Sequence, residues 1–212
     1  MARRLVDQTN ELVVRMNNLW SEQRLGISTR GVTEIDHEDA VDYATMGYRT
    51  IWRVLRHLEL GPDDVFVDIG CGRGRVLCCA ARHPVEHVHG VDVSPELCDA
   101  ARANAEHLRG RKAPITIRNT VAQDFDYSDA TVLYMFDPFG PATLRQVLDK
   151  VRSDSDEGDV RIAYANPTHE AVVGEQPWLE PAGRWGQDED RIEHSVAFYR
   201  SRAYRERLAA SG

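Results

Sequence analysis

The spacing of apolar positions changes along the chain, and each change marks an element. Leu5, Leu12, Met16, Leu19 and Trp20 recur at near-helical steps and predict a weakly amphipathic helix over residues 5–20. The polar, glycine-containing stretch Ser21–Thr33 predicts a loop. From Glu38 the repeat sharpens. Val41, Ala44, Tyr48, Ile51, Leu55 and Leu58 fall at steps of three and four, one buried stripe of a helix that Gly61-Pro62 stops. Val65-Phe66-Val67 breaks that period as a short strand running into glycines, and Val76–Ala81 reads as the helix behind them. Val88–Val93 is a second strand, and Ser94-Pro95 supplies the N-cap and first-turn proline of a helix reaching about Leu108. Further strands are predicted at Pro114–Ile117, Thr131–Phe136 and Val160–Ala165, with helices near 141–151 and 168–173. Strands alternating with helices imply a parallel sheet with right-handed crossovers. Trp178–Tyr199 lacks a helix before its last strand, Ser195–Tyr199, so an antiparallel closing hairpin is expected there.

At 212 residues the chain suits one α/β domain with a short extra element. Its net charge of −8 weighs against a nucleic-acid substrate, since gripping phosphates calls for a basic surface. Arginine outnumbers lysine 24 to 2, which reads as the codon bias of a GC-rich bacterium. Cys71, Cys78, Cys79 and Cys98 form no paired CxxC units, so reduced thiols and no metal site are expected. No apolar stretch approaches the length of a membrane span, and Met1-Ala2-Arg3-Arg4 leads into polar residues rather than a secretory core. A cytoplasmic protein with no membrane partner is expected. The acidic run Ser153–Asp159 reads as a solvated loop.

Candidate chemistry starts where the first strand meets Asp68-Ile69-Gly70-Cys71-Gly72-Arg73-Gly74. A strand ending in glycines and opening a helix lets backbone amides approach a ligand closely. The spacing is Gly70-x-Gly72-x-Gly74, with Arg75 where a dinucleotide fingerprint needs its third glycine. Asp68 stands two residues before Gly70, where a carboxylate suits a cationic methionine amine and would repel a pyrophosphate. Both details favour S-adenosylmethionine over a dinucleotide. The second strand ends in Gly90-Val91-Asp92-Val93, and an acid about twenty residues past the glycine turn can accept both ribose hydroxyls. After the third strand, Asp124 can accept from the adenine amine while Phe125 offers an apolar wall.

The strings VFVDIGCGRGR, GVDVSPE, AQDF and YMFDPFG, in that order, resemble the class I S-adenosylmethionine-dependent methyltransferases over about residues 38–200. The resemblance implies a Rossmann-like α/β fold: a seven-stranded sheet with an antiparallel last strand, helices on both faces and the cofactor at the strands' carboxyl ends. It places Asp68, Gly70, Gly72, Gly74, Asp92 and Asp124 on cofactor-contacting positions, with Cys71 and Val93 inside the same motifs. The chain divides into a helical extension (1–37, a lid or dimer element), the methyltransferase domain (38–202) and a tail (203–212). It is most similar to a small bacterial subgroup that carries aromatic and proline residues before the first strand and Asn-Pro-Phe after the fourth. Here those segments read Tyr43-Ala44-Thr45-Met46-Gly47-Tyr48 and Asp137-Pro138-Phe139-Gly140.

Methyl transfer from a sulfonium is an in-line displacement, so the protein must align the acceptor and, where needed, remove a proton. Asp137-Pro138-Phe139 partly resembles the Asp/Asn-Pro-Pro-Tyr/Phe turn of amino-methyltransferases. Asp137 is therefore the candidate for handling substrate, as a holder of a target nitrogen or as a base for a hydroxyl; it can equally be a cofactor ligand. Tyr43 and Thr45 are candidates for a lid over the methionine end, whereas Tyr48 lies on the apolar stripe and suits the core. Asn166-Pro167 borders the same side, and His169 and His194 are further bases to weigh. The expected function is methylation of a small molecule, nitrogen favoured over oxygen, by a monomer or homodimer. The alternatives are a protein-amine methyltransferase and a non-catalytic cofactor-binding partner.

Overall fold

The computed structural model describes residues 2–30, 45–155, 158–187 and 192–202, with side chains from Val14 onward. Two helices precede the sheet, α1 (Ala2–Leu25) and α2 (Tyr48–His57). The alternating part runs β1 (Val65–Ile69), α3 (Arg75–Ala80), β2 (His87–Asp92), α4 (Pro95–His107), β3 (Ile115–Asn119), β4 (Val132–Phe136), α5 (Pro141–Asp154), β5 (Arg161–Ala165) and α6 (Glu170–Gly174). A hairpin of β6 (Leu179–Trp185) and β7 (Val196–Ser201) closes it.

The seven strands are ordered β3-β2-β1-β4-β5-β7-β6, with β7 antiparallel to both neighbours. β1 is buried at every position because helices cover a central parallel strand on both faces. On one face Phe66, Val88 and Tyr134 meet Val54 and Leu55 of α2 and Leu77 and Cys78 of α3. On the other, Leu133, Met135 and Ile162 meet Leu144, Val147 and Leu148 of α5 and Val172 and Val173 of α6. The strand order reverses at β1 and β4, so their carboxyl ends open a crevice at the switch point. Among the described residues no helix is long and apolar enough to cross a membrane.

Two boundaries differ from the sequence reading. α1 continues through the stretch expected as loop from Ser21, because Glu22 and Leu25 are buried and Leu25 joins the core. α2 begins at Tyr48 rather than Glu38, with Gly47 as an extended N-cap; residues 38–44 lie outside the described residues. Its first amide, that of Tyr48, donates to Asn18 Oδ1 of α1 at 3.1 Å, which supplies the cap Gly47 lacks. The 37/38 division and the tail from 203 also fall outside the described residues.

The connection from β3 to β4 holds no α-helix, only a 3-10 turn at Ala122–Asp124. Beside it lies a cavity of about 640 Å³ bordered by Val67, His89, Asn119, Asp124 and Phe125.

Candidate cofactor and acceptor site

The glycine turn is built by backbone conformations that side chains resist. Gly70, Gly72 and Gly74 have φ of +73°, +52° and +77°, the left-handed region. The amides of Gly70 and Cys71 donate to Val91 O at 2.8 and 3.0 Å, which ties the turn to the end of β2. A Cβ on Gly70 would stand 2.7 Å from Cβ of Pro138, so the turn after β4 is packed directly on the turn after β1. Gly90 has a related reason: a Cβ there would meet Leu77 Cδ1 at 2.4 Å and Cys71 Sγ at 2.9 Å. The Cys71 side chain thus points into the core, where burial raises its thiol well above the ordinary range. Its contribution to the crevice is through backbone.

Asp68 is buried at the end of β1, and its Oδ2 accepts from Leu77 N at 3.2 Å. Burial pushes its carboxyl up to about 8 against the pull of that amide, with Asp92 adding to the rise. Its register partner on β4 is Tyr134, whose buried hydroxyl has no hydrogen-bond partner among the described residues. Asp92 is buried too and joins turn to strand: Oδ2 accepts from Gly72 N at 2.8 Å and Oδ1 from Ser94 N at 2.9 Å. Burial raises its carboxyl despite those amides. Val93 is half-buried beside it, and Asn119 Nδ2 donates to the carbonyls of Asp92 and Val93 at 3.0 and 2.8 Å. Asp124 is exposed at the cavity, whereas Phe125 is buried edge-on to Tyr127 and His89.

These groups fit S-adenosylmethionine. Its methionine amine, ribose diol and adenine amine are all donors, and Asp68 and Asp92 offer carboxyl groups at the ends of β1 and β2, with Asp124 in the 3-10 turn that follows β3. A buried hydroxyl without a partner beside Asp68 is what a site for a polar ligand group carries.

On the other side of the switch point, β4 and β5 each end in an Asx-Pro step with positive φ: Asp137 at +39° and Asn166 at +50°. Residues before proline avoid helical conformations, and the left-handed region is rare outside glycine, so both ends hold strain. The Asp137 carboxylate is turned toward β5. It accepts from Tyr164 Oη at 2.6 Å and from Thr168 Oγ1 at 2.8 and 2.7 Å. That commitment makes Asp137 a brace between two strand ends. Tyr164 is buried, and burial followed by the Asp137 contact raises its phenol. Tyr164 and Thr168 are not among the expected site residues, although a tyrosine within the predicted strand Val160–Ala165 is a visible signal.

His194 packs edge-on against Phe136, with ring centres 4.9 Å apart, and burial lowers its imidazole despite Glu193 beside it. His169 donates its backbone amide to Tyr164 Oη at 3.3 Å. Thr45 is half-buried at the start of the segment leading to α2, and Tyr43 lies outside the described residues. Tyr48 is a core residue, 1% exposed, with its hydroxyl against Thr29. Among the described residues no cluster of histidine, cysteine and carboxylate side chains could hold a metal.

Residues 66–153 match the family described as a methyltransferase domain. A protein-lysine N-methyltransferase of Saccharolobus islandicus is 32% identical over 101 residues, covering 45% of this chain and 60% of that protein. A ribosomal protein L11 methyltransferase of Dechloromonas aromatica is 39% identical over 93 residues, 43% of this chain and 31% of that protein. This chain therefore spans less than two thirds of each of these relatives. An RNA methyltransferase of Salinibacter ruber, solved with S-adenosyl-L-homocysteine, shares the fold at a TM-score of 0.56 and 19% identity, over 74% of this chain and 94% of that one. A matching domain, a seven-stranded sheet with reversed β7 and a glycine turn at the switch point converge: residues 66–153 form a methyltransferase domain, and the sheet around them has the fold of the S-adenosylmethionine-dependent methyltransferases.

Proposed function

We propose that this chain transfers the methyl group of S-adenosylmethionine to a small-molecule acceptor in the cytoplasm, nitrogen favoured over oxygen. The observation that carries this reading is the packing of Pro138 on Gly70, which sets the Asp137 turn against the donor's glycine turn. When bound, the cofactor supplies an electrophilic methyl group on a sulfonium. The chain's own residues supply alignment, the main requirement of an in-line displacement. Asp68 takes the methionine amine, Asp92 the ribose hydroxyls, and Asp124 the adenine amine. Asp137, fixed by Tyr164 and Thr168, shapes the acceptor end through its turn. His194, neutral at physiological pH, stands beside Phe136 as the base for an acceptor proton.

The net charge of −8 supports an acceptor other than nucleic acid. A nitrogen target agrees with the name of the lysine-directed relative, which also favours a second reading, the amine of a protein side chain. One experiment separates the two. The purified chain is incubated with methyl-labelled S-adenosylmethionine and, separately, the small-molecule and protein fractions of a cell extract. Label in the small-molecule fraction is expected; label confined to protein overturns the first reading in favour of the second. A melting temperature that does not move with S-adenosylhomocysteine would sink the cofactor assignment itself.

A further inference from the structure

Arg75 opens α3 directly behind Gly74, and its guanidinium is buried, with 5% of the residue exposed. Each nitrogen meets a residue of the N-terminal segment. Nε donates to Thr29 Oγ1 at 2.7 Å, Nη1 to Met46 O at 3.1 Å, and Nη2 faces Glu22 Oε1 at 3.5 Å. The guanidinium also lies over the Tyr48 ring, 4.7 Å from its centre. Glu22 Oε1 in turn accepts from Thr29 N and Oγ1 at 2.9 and 2.8 Å, and Arg30 Nε holds Oε2 at 2.8 Å. Asn104 of α4 closes the same joint from behind the turn. Its Nδ2 donates to Arg73 O at 2.9 Å and Ser28 O at 3.0 Å, while Oδ1 accepts from Ser28 N at 2.8 Å.

A buried charge tolerates no half-made contacts, because an unpaired guanidinium or carboxylate away from water is far more costly than a paired one. The end of α1, the turn at 26–30 and the segment at 46–48 therefore dock on the glycine turn together or not at all. We propose that Arg75 is a positioning residue for the cofactor, holding Gly70–Gly74 in its binding conformation by fixing it to residues 22–29 and 46–48. The proposal rests on the reading of the glycine turn as the cofactor site. Coupling of this kind is reciprocal: a ligand that orders the turn also orders the segment behind it.

Hydrogen exchange of the full chain with and without S-adenosylhomocysteine tests this without any substitution. Added ligand is expected to slow exchange at residues 22–29 and 46–48 as well as at 70–77. Arg75→Met is expected to weaken S-adenosylhomocysteine binding about tenfold and to confine protection to the turn. An arginine that merely supports the fold would lower the melting temperature without ligand-dependent protection at 22–29. Protection limited to 70–77 in the unaltered chain overturns the proposal. So does Arg75→Met binding within about twofold of the original. If the unaltered chain binds no S-adenosylhomocysteine, the cofactor assignment is what has failed.

Discussion

Asp68 is 3% exposed and accepts a single backbone amide, so its carboxyl is held up to about 8 where an unfolded chain would have 3.8. The protonated form is thus the one the fold favours. Its contribution to stability is complete below about pH 4 and is lost as pH rises through about 8, because in that window the native state holds a proton that the unfolded state has released. The ceiling on this share is about 1.4 kcal/mol per pH unit. Asp68→Asn keeps the shape and an acceptor oxygen for Leu77 N but cannot ionise. Urea denaturation at intervals from about pH 5 to 8 should therefore show the asparagine variant gaining on the original chain as pH rises. Cofactor binding supplies a second arm. A methionine amine beside Asp68 favours the ionised carboxylate, so binding near neutral pH should release a proton, seen by calorimetry in buffers of different ionisation enthalpy. The asparagine variant should bind more weakly and release none. Parallel stability curves for the two proteins would refute the burial argument, and equal proton release would refute the pairing with the amine.

Asp92→Asn leaves the amides of Gly72 and Ser94 facing an uncharged group. A lost charge-assisted bond of about 1.5–3 kcal/mol should weaken S-adenosylhomocysteine ten- to a hundredfold by calorimetry; unchanged affinity would remove Asp92 from the site. Tyr164→Phe takes one hydroxyl from the buried Asp137 carboxylate and should lower stability by about 1–3 kcal/mol, with kcat falling more than cofactor affinity. A variant with normal turnover would mean the Asp137 brace is irrelevant to the acceptor end. Gly70→Ala forces a side chain into the left-handed region and against Pro138, so the melting temperature should drop by several degrees, about 1–2 kcal/mol from the backbone alone. An unshifted melting curve would contradict the close approach of the two turns.

The glycine turn and the acids proposed for the donor were legible because their determinants are local. Glycines at 70, 72 and 74, and acids at the ends of β1 and β2, are spaced by the strand-turn-helix unit itself, so sequence order reports spatial order. The Asp137 end, proposed for the acceptor, depends on contacts between distant segments. Nothing near Asp137 in sequence announces that Tyr164 and Thr168 will take up its carboxylate, and the positive φ at Asp137 and Asn166 emerges only when the two strand ends are side by side. The same holds at the N-terminus. The polar residues that made Ser21–Thr33 read as a loop include Glu22 and Thr29, which are polar because they enclose the Arg75 guanidinium, and the helix runs on through Glu22 to Leu25. Arg75 itself carried information in the sequence only as the residue that was not a glycine.

The short connection between β3 and β4 has a practical corollary. With a single 3-10 turn where a helix could have stood, about 640 Å³ of open space lies beside Asp124, the residue proposed to meet the adenine amine. If Asp124 holds the adenine amine as proposed, an analogue of S-adenosylmethionine enlarged on its adenine ring is expected to raise the melting temperature as the natural cofactor does; no shift would place the base elsewhere. Paired with a transferable alkyne in place of the methyl group, such an analogue would tag whatever acceptor this chain uses.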